Sequence, residues 1–249
     1  LASLYGPHPE QWLHGMVKGY QGVDPCEAKI VFLGLDANWP TPMSPSFAAA
    51  VKNYLKNPVD YWKTAHTPHS SAYFQPIHHP LLSDQNQGPY NAGGIRYHQN
   101  FNKLNLPAIP FADCVSFVEL LWIPTQGSSK SNPALFRKLV TDPSNASHLQ
   151  LLHRGLFQDG PKAIYVSDSV LQELRLLSLF SHSFVGKGHV PTLKSHSPPI
   201  VPIHAPGHVA TGVEIYLTYH FSASQINAVL GPRGALRAHI ASQAKRVGC

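Results

Sequence analysis

Residues Lys29 to Leu35 read Lys-Ile-Val-Phe-Leu-Gly-Leu. A short β-rich run, apolar at odd and even positions alike, predicts a strand buried on both faces. Both faces then need covering, which calls for helices on either side of a mainly parallel sheet. Further strands are expected at Ala112 to Val118, Ala163 to Ser167 and Ile200 to Ile203. A helix opens at Ser44-Pro45, with Ser as N-cap and Pro at the first helical position. Others are expected over Ile95 to Leu104, from Pro133, over Ser169 to Phe180 and over Gly234 to Arg246. Residues 57–94, rich in Pro, His, Ser and Asn, read as a long irregular insertion. The expected fold is α/β: a three-layer α/β/α sandwich with a central four-stranded parallel sheet, one domain over residues 1–249.

Composition narrows the function classes. Only 13% of the 249 residues are charged, while there are 23 prolines and 16 histidines. The 19 basic residues exceed the 13 acidic ones, a formal +6, which suits an anionic partner. The longest apolar candidate, Ile109 to Ile123, is broken by Asp113, Ser116 and Glu119, so no membrane span is expected. The opening LASLYGPHPEQW lacks the basic and apolar regions of a signal peptide. Cys26, Cys114 and Cys249 are odd in number and far apart. They suggest neither a disulfide framework nor an iron–sulfur set, and they lead us to expect a reducing compartment. His66, His69, His78 and His79 fit no zinc spacing, so no metal is expected. No Gly-x-Ser-x-Gly elbow and no phosphate-binding glycine loop occurs.

In parallel sheets ligands bind beyond the carboxyl ends of the strands. That singles out Asp36 to Met43, after the first strand, and His204 to Gly212, after the expected fourth. Asp36 alone would be an ordinary turn residue, and His204 one loop histidine among many. As a pair they place a carboxylate and an imidazole in one expected crevice. The first can orient water or stabilise a cation, and the second can donate to an oxyanion.

GLDANWP after the first strand and HAPGH after the fourth resemble the two motifs of the uracil-DNA glycosylase superfamily. Those motifs are a Gly-x-Asp or Gly-x-Asn loop and a His-Pro-Ser-type loop, and the resemblance spans roughly residues 29–212. It implies a cofactor-free DNA-repair hydrolase, monomeric and cytoplasmic (the bacterial nucleoid) or nuclear. Such an enzyme flips uracil out of single- or double-stranded DNA and hydrolyses its N-glycosidic bond. Asp36 matches the acid that activates water and stabilises the sugar cation, and His204 matches the donor to the uracil O2. Phe47, then Trp39, matches the aromatic that stacks the base, with Leu35 and Asn38 beside it. Asn38 stands where the best-known branch has its thymine-excluding tyrosine. Ser116 or Glu119 lies nearest that branch's uracil-reading Asn. Val209 takes the place of the wedge that fills the stack, and Ser44, Ser46, His208, Ser128 and Ser129 would contact DNA. The substitutions leave three activities open: uracil excision, excision of hypoxanthine, xanthine or mispaired thymine, and non-catalytic binding of damaged or abasic DNA.

Overall fold

The structure is a computed structural model. It describes residues 20–35, 100, 104, 111–121, 132–157, 160–181, 200–203, 212–221, 223–230 and 234–249. The strands are β1 (Tyr20–Gly22), β2 (Ile30–Gly34), β3 (Val115–Glu119), β4 (Lys162–Val166), β5 (Val201–Ile203) and β6 (Val213–Leu217). The helices are α1 (Phe111–Cys114), α2 (Pro133–Val140), α3 (Pro143–Phe157), α4 (Asp168–Leu176), α5 (Ser178–Ser181), α6 (Asn227–Leu230) and α7 (Ala235–Val247). The expected helix from Ser44 and the insertion at 57–94 lie outside the described residues.

The fold is α/β, but among the described residues the sheet is mixed and has six strands where four parallel ones were expected, in the order β1-β3-β2-β4-β6-β5. Strands β3, β2, β4 and β6 run parallel. Strands β1 and β5 are antiparallel edges. The expected fourth strand is therefore corrected. Residues 201–203 form an antiparallel edge, and the fourth parallel strand is Val213–Leu217, which was not anticipated. Pro202 explains the edge position of β5, because proline has no N–H to donate to a ladder and is tolerated where that position faces away from the sheet. The expected strand at Ala112 begins later, at Val115, after the short helix α1.

Strands β2 and β4 are buried along their whole length, as their continuous apolar runs require. One face of the sheet packs on α6 and α7 through Val229, Leu230, Leu236, Ile240, Ala244 and Val247, with Ile226 just before α6. The other packs on α2 to α5 through Phe136, Leu139, Leu152, Leu156, Leu171 and Phe180. The helix expected over Ser169 to Phe180 is split at Leu177, which is extended, into α4 and α5. Among the described residues, no helix is long and apolar enough to cross a membrane.

Polar pins fix the ends of the strands. Lys162, 1% exposed, donates to the carbonyls of Pro25 (3.1 Å), Cys26 (2.8 Å) and Ala28 (2.7 Å). The ammonium thereby ties the turn before β2 to the start of β4. Removing one partner of a buried charge network leaves the other groups without compensation. At the opposite edge of the sheet, Asn145 of α3 donates to the carbonyls of Leu120 and Val140, both at 3.0 Å. His148 Nε2 donates to the Glu119 carbonyl at 2.7 Å.

Burial pushes the imidazoles of His148, His153 and His239 below their usual range. The unfolded chain then binds protons more readily than the folded one, so stability rises with pH in that window. The urea midpoint should be flat above neutrality and fall as pH drops through the ordinary histidine value of 6.5. A midpoint that rises over that drop would contradict this. Lys162→Met should lose about 2–4 kcal/mol in urea unfolding. A loss under about 0.5 kcal/mol would show that the ammonium does not hold the turn.

Candidate functional site

From β2 the chain steps to β3 on one side, and β4 and β6 lie on the other. The order therefore reverses between β2 and β4. The carboxyl ends of those two strands form the topological switch point where open parallel sheets bind ligands.

Side chains at this edge are set by the two-residue period of the strands. On the face toward α6 and α7, Phe117, Phe32, Tyr165 and Tyr216 form a cross-strand aromatic ladder in direct register. The Phe32 ring stacks on Phe117 and on Tyr165, at 5.1 Å each, and Tyr165 stacks on Tyr216 at 5.6 Å. Two residues further along each strand come Glu119, Gly34, Ser167 and Thr218. The alternation sets these four in one row above the ladder, at the carboxyl edge. A polar row thus rests on an aromatic floor. A Cβ on Gly34 would collide with the Glu119 carboxylate, which explains the glycine in an otherwise bulky strand.

Residues 218–221 then cross back over this edge. The Thr218 amide extends the ladder to the Val166 carbonyl at 2.9 Å, and the Ala223 amide closes a turn on the His220 carbonyl at 2.8 Å. The Phe221 ring meets Phe32 edge-on at 5.5 Å. Asn100, 3% exposed, donates from Nδ2 to the Phe221 carbonyl at 2.6 Å. The half-buried His220 is thus held on both sides by backbone anchors. A cavity of about 10 Å³, room for one water-sized group, lies beneath it between Phe32, Tyr165, Ser167 and Thr218. Thr218 is 3% exposed, and among the described residues its Oγ1 has no hydrogen-bond partner, a state shared by the Ser116 hydroxyl. Ser167 Oγ pairs with Ser169 Oγ at 3.1 Å where α4 begins.

Behind the ladder, burial holds the hydroxyls of Tyr165 and Tyr216 protonated far above their usual range, with Glu214 also raising Tyr216. The Tyr165 hydroxyl shares a 3.0 Å hydrogen bond with His239 Nδ1, and Tyr216 donates to Glu214. These groups support the floor and offer no dissociable proton near neutrality. Among the described residues, no cluster of three His, Cys, Asp or Glu side chains could hold a metal.

The residues expected from sequence fare unevenly. Asp36, Asn38, Trp39, Ser44, Ser46, Phe47, Ser128, Ser129, His204, His208 and Val209 lie outside the described residues. Leu35, half-buried, directly follows β2, and its carbonyl accepts from the Leu121 amide at 3.0 Å. Ser116 is 0% exposed in the middle of β3, on the face opposite the aromatic ladder. Glu119, the other residue considered there, does reach the edge.

The larger correction concerns the geometry that paired Asp36 with His204. Strand β5 runs against β6, with Val201 opposite Leu217 and Ile203 opposite Ile215. The chain therefore leaves β5 toward the amino edge of the parallel strands, whereas it leaves β2 at the carboxyl edge. The expectation that both loops follow carboxyl ends does not hold. Among the described residues, the histidine that follows the last parallel strand is His220, which the sequence reading did not single out. One signal was present: Pro202 marks an edge strand.

Asn100→Ala should remove about 1–3 kcal/mol of stability and shift the amide resonances of Phe221 and Ala223. Unmoved resonances would show that Asn100 does not anchor the crossing segment. No protein-family model, no curated protein and no solved structure matches this chain.

Proposed function

We propose that this chain is a DNA glycosylase that flips uracil out of DNA and hydrolyses its N-glycosidic bond. The observation that carries the reading is topological. The Gly-Leu-Asp segment leaves β2, and the His-Phe-Ser segment follows β6, on the two sides of one switch point. An acid in the loop after β2 and an imidazole after β6 suit a reaction whose transition state pairs an oxocarbenium-like sugar with an anionic base.

The roles follow from that chemistry. The Asp36 carboxylate orients the attacking water and stabilises the sugar cation. His220, in place of His204, donates to the base oxygen as negative charge grows there, and its backbone anchors keep the donor organised in advance. Phe47 or Trp39 stacks the extruded base. Exposed Ser169, beside the same edge, joins Ser44 and Ser46 as a hydroxyl suited to phosphate oxygens. The formal +6 draws the chain to a polyanion, so binding should weaken with salt. The reaction drawn this way uses water, an acid and a hydrogen-bond donor, and it needs no cofactor.

The test is excision from labelled uracil oligonucleotides, scored by alkali-labile strand breaks. Asp36→Asn and His220→Ala should each slow excision by about 10²–10³ with the urea midpoint retained, and His204→Ala should leave it within about threefold. If His204→Ala abolishes excision and His220→Ala does not, the donor assignment is wrong. Absence of excision by the unaltered chain on uracil, hypoxanthine, xanthine and mispaired thymine overturns the glycosylase reading itself.

A further inference from the structure

The cysteines depart from the sequence expectation. Cys114 and Cys249, 135 residues apart in the chain, are joined in a disulfide with Cα atoms 5.7 Å apart. We propose that they form a reversible thiol–disulfide site that exchanges with small disulfides of the glutathione class and, when oxidised, locks helix α7 onto the sheet. This inference is independent of the glycosylase reading.

Two features bring the sulfurs together. Cys114 ends α1 directly before β3 and is 6% exposed. Cys249 follows Gly248, whose φ of 72° is the left-handed turn that glycine adopts without strain. That turn closes with the Cys249 amide on the Ala244 carbonyl at 2.9 Å and returns the chain toward the sheet.

The placement does not depend on the covalent bond. The apolar stripe of α7, Leu236, Ile240, Ala244 and Val247, is buried in the core beneath the sheet. Arg246 also donates to the carbonyls of Lys162 and Gly212, at 3.0 Å each, at the amino edge of β4 and β6. Packing and these bonds hold the two thiols within reach when reduced, so closure is an intramolecular step at high effective concentration.

Access is asymmetric. Cys249 is half-buried and Cys114 buried, so exchange enters at Cys249. The Cys249 thiolate attacks one sulfur of the small disulfide, whose S–S bond breaks and releases one thiolate. The Cys114 thiolate then attacks the Cys249 sulfur of the mixed disulfide and releases the second. Two protein thiols are oxidised, one small disulfide is reduced to two thiols, and the two protons pass from the cysteines to the leaving thiols. Cys26 is the internal control. It lies outside the pair, and burial pushes its thiol above the usual range, which lowers its thiolate fraction.

The experiment equilibrates the full chain in reduced and oxidised glutathione buffers, counts thiols after denaturation, and measures Tm for each form. Three titratable thiols are expected after reduction and one after oxidation, Cys26, with a peptide linking Cys114 to Cys249. Closing so long a loop should raise Tm by about 10 °C or more. Cys249→Ser should melt like the reduced form in either buffer, and Cys26→Ser should keep the full shift. Three titratable thiols in excess oxidised glutathione, linkage through Cys26, or equal Tm in both buffers would each overturn the proposal.

Discussion

The ring of Phe32 ties the centre of the sheet to everything proposed for its edge. It stacks on Phe117 of β3 and Tyr165 of β4 and takes Phe221 edge-on. The first two contacts are the cross-strand pairs that stabilise a sheet. The third crosses from the sheet to the segment carrying His220. The side chain that registers β2 between its neighbours therefore also fixes the height at which that segment crosses the carboxyl edge. Aromatic pairs add only about 0.5–1.5 kcal/mol each beyond burial, so their importance here is geometric. They form a rigid floor, and the polar row Glu119, Gly34, Ser167 and Thr218 stands on it.

The two edges of the sheet are built differently. At the amino edge every visible device is structural. Lys162 binds three carbonyls, Arg246 spans β4 and β6, and the Cys114–Cys249 bond holds the end of α7. At the carboxyl edge of β3, Asn145 and His148 satisfy the carbonyls of Leu120 and Glu119. Further along the same edge, the buried Thr218 hydroxyl lies beside a cavity with room for one water-sized group. Satisfied polar groups of the first kind fix an architecture.

Much of the architecture was legible in the sequence. Ile30 to Gly34 and Lys162 to Val166 are apolar on both faces, and only a doubly covered strand tolerates that. The helix expected from Pro133 is α2, and the structure adds its N-cap, Asn132, whose side chain accepts from the Leu135 amide. The site was harder to read because its placement depends on strand direction. Ile200 to Ile203 has strand composition, but composition does not say whether a strand runs with its neighbours or against them. Pro202 carried that information as an edge marker. Val213 to Leu217 was obscured by Glu214 and by the glycine-rich stretch before it. The aromatic-x-polar pattern of Phe117-x-Glu119, Phe32-x-Gly34, Tyr165-x-Ser167 and Tyr216-x-Thr218 was also present, but its meaning depends on a register that no single segment reveals. The cysteine pairing belongs to the same class, since 135 residues of chain separate partners that only the packing of α7 brings together.

The central claim is that ligand binds at the carboxyl edge, over the Phe32 ladder, beside His220. The most direct measurement is an NMR titration of the chain with a short uracil-containing oligonucleotide and with its abasic counterpart, following the histidine imidazole resonances. The account predicts that the His220 resonance shifts saturably with both oligonucleotides, while that of His239, behind the floor, stays in place. Shifts confined to histidines away from the crossing segment, or no shift at saturating DNA, would contradict it.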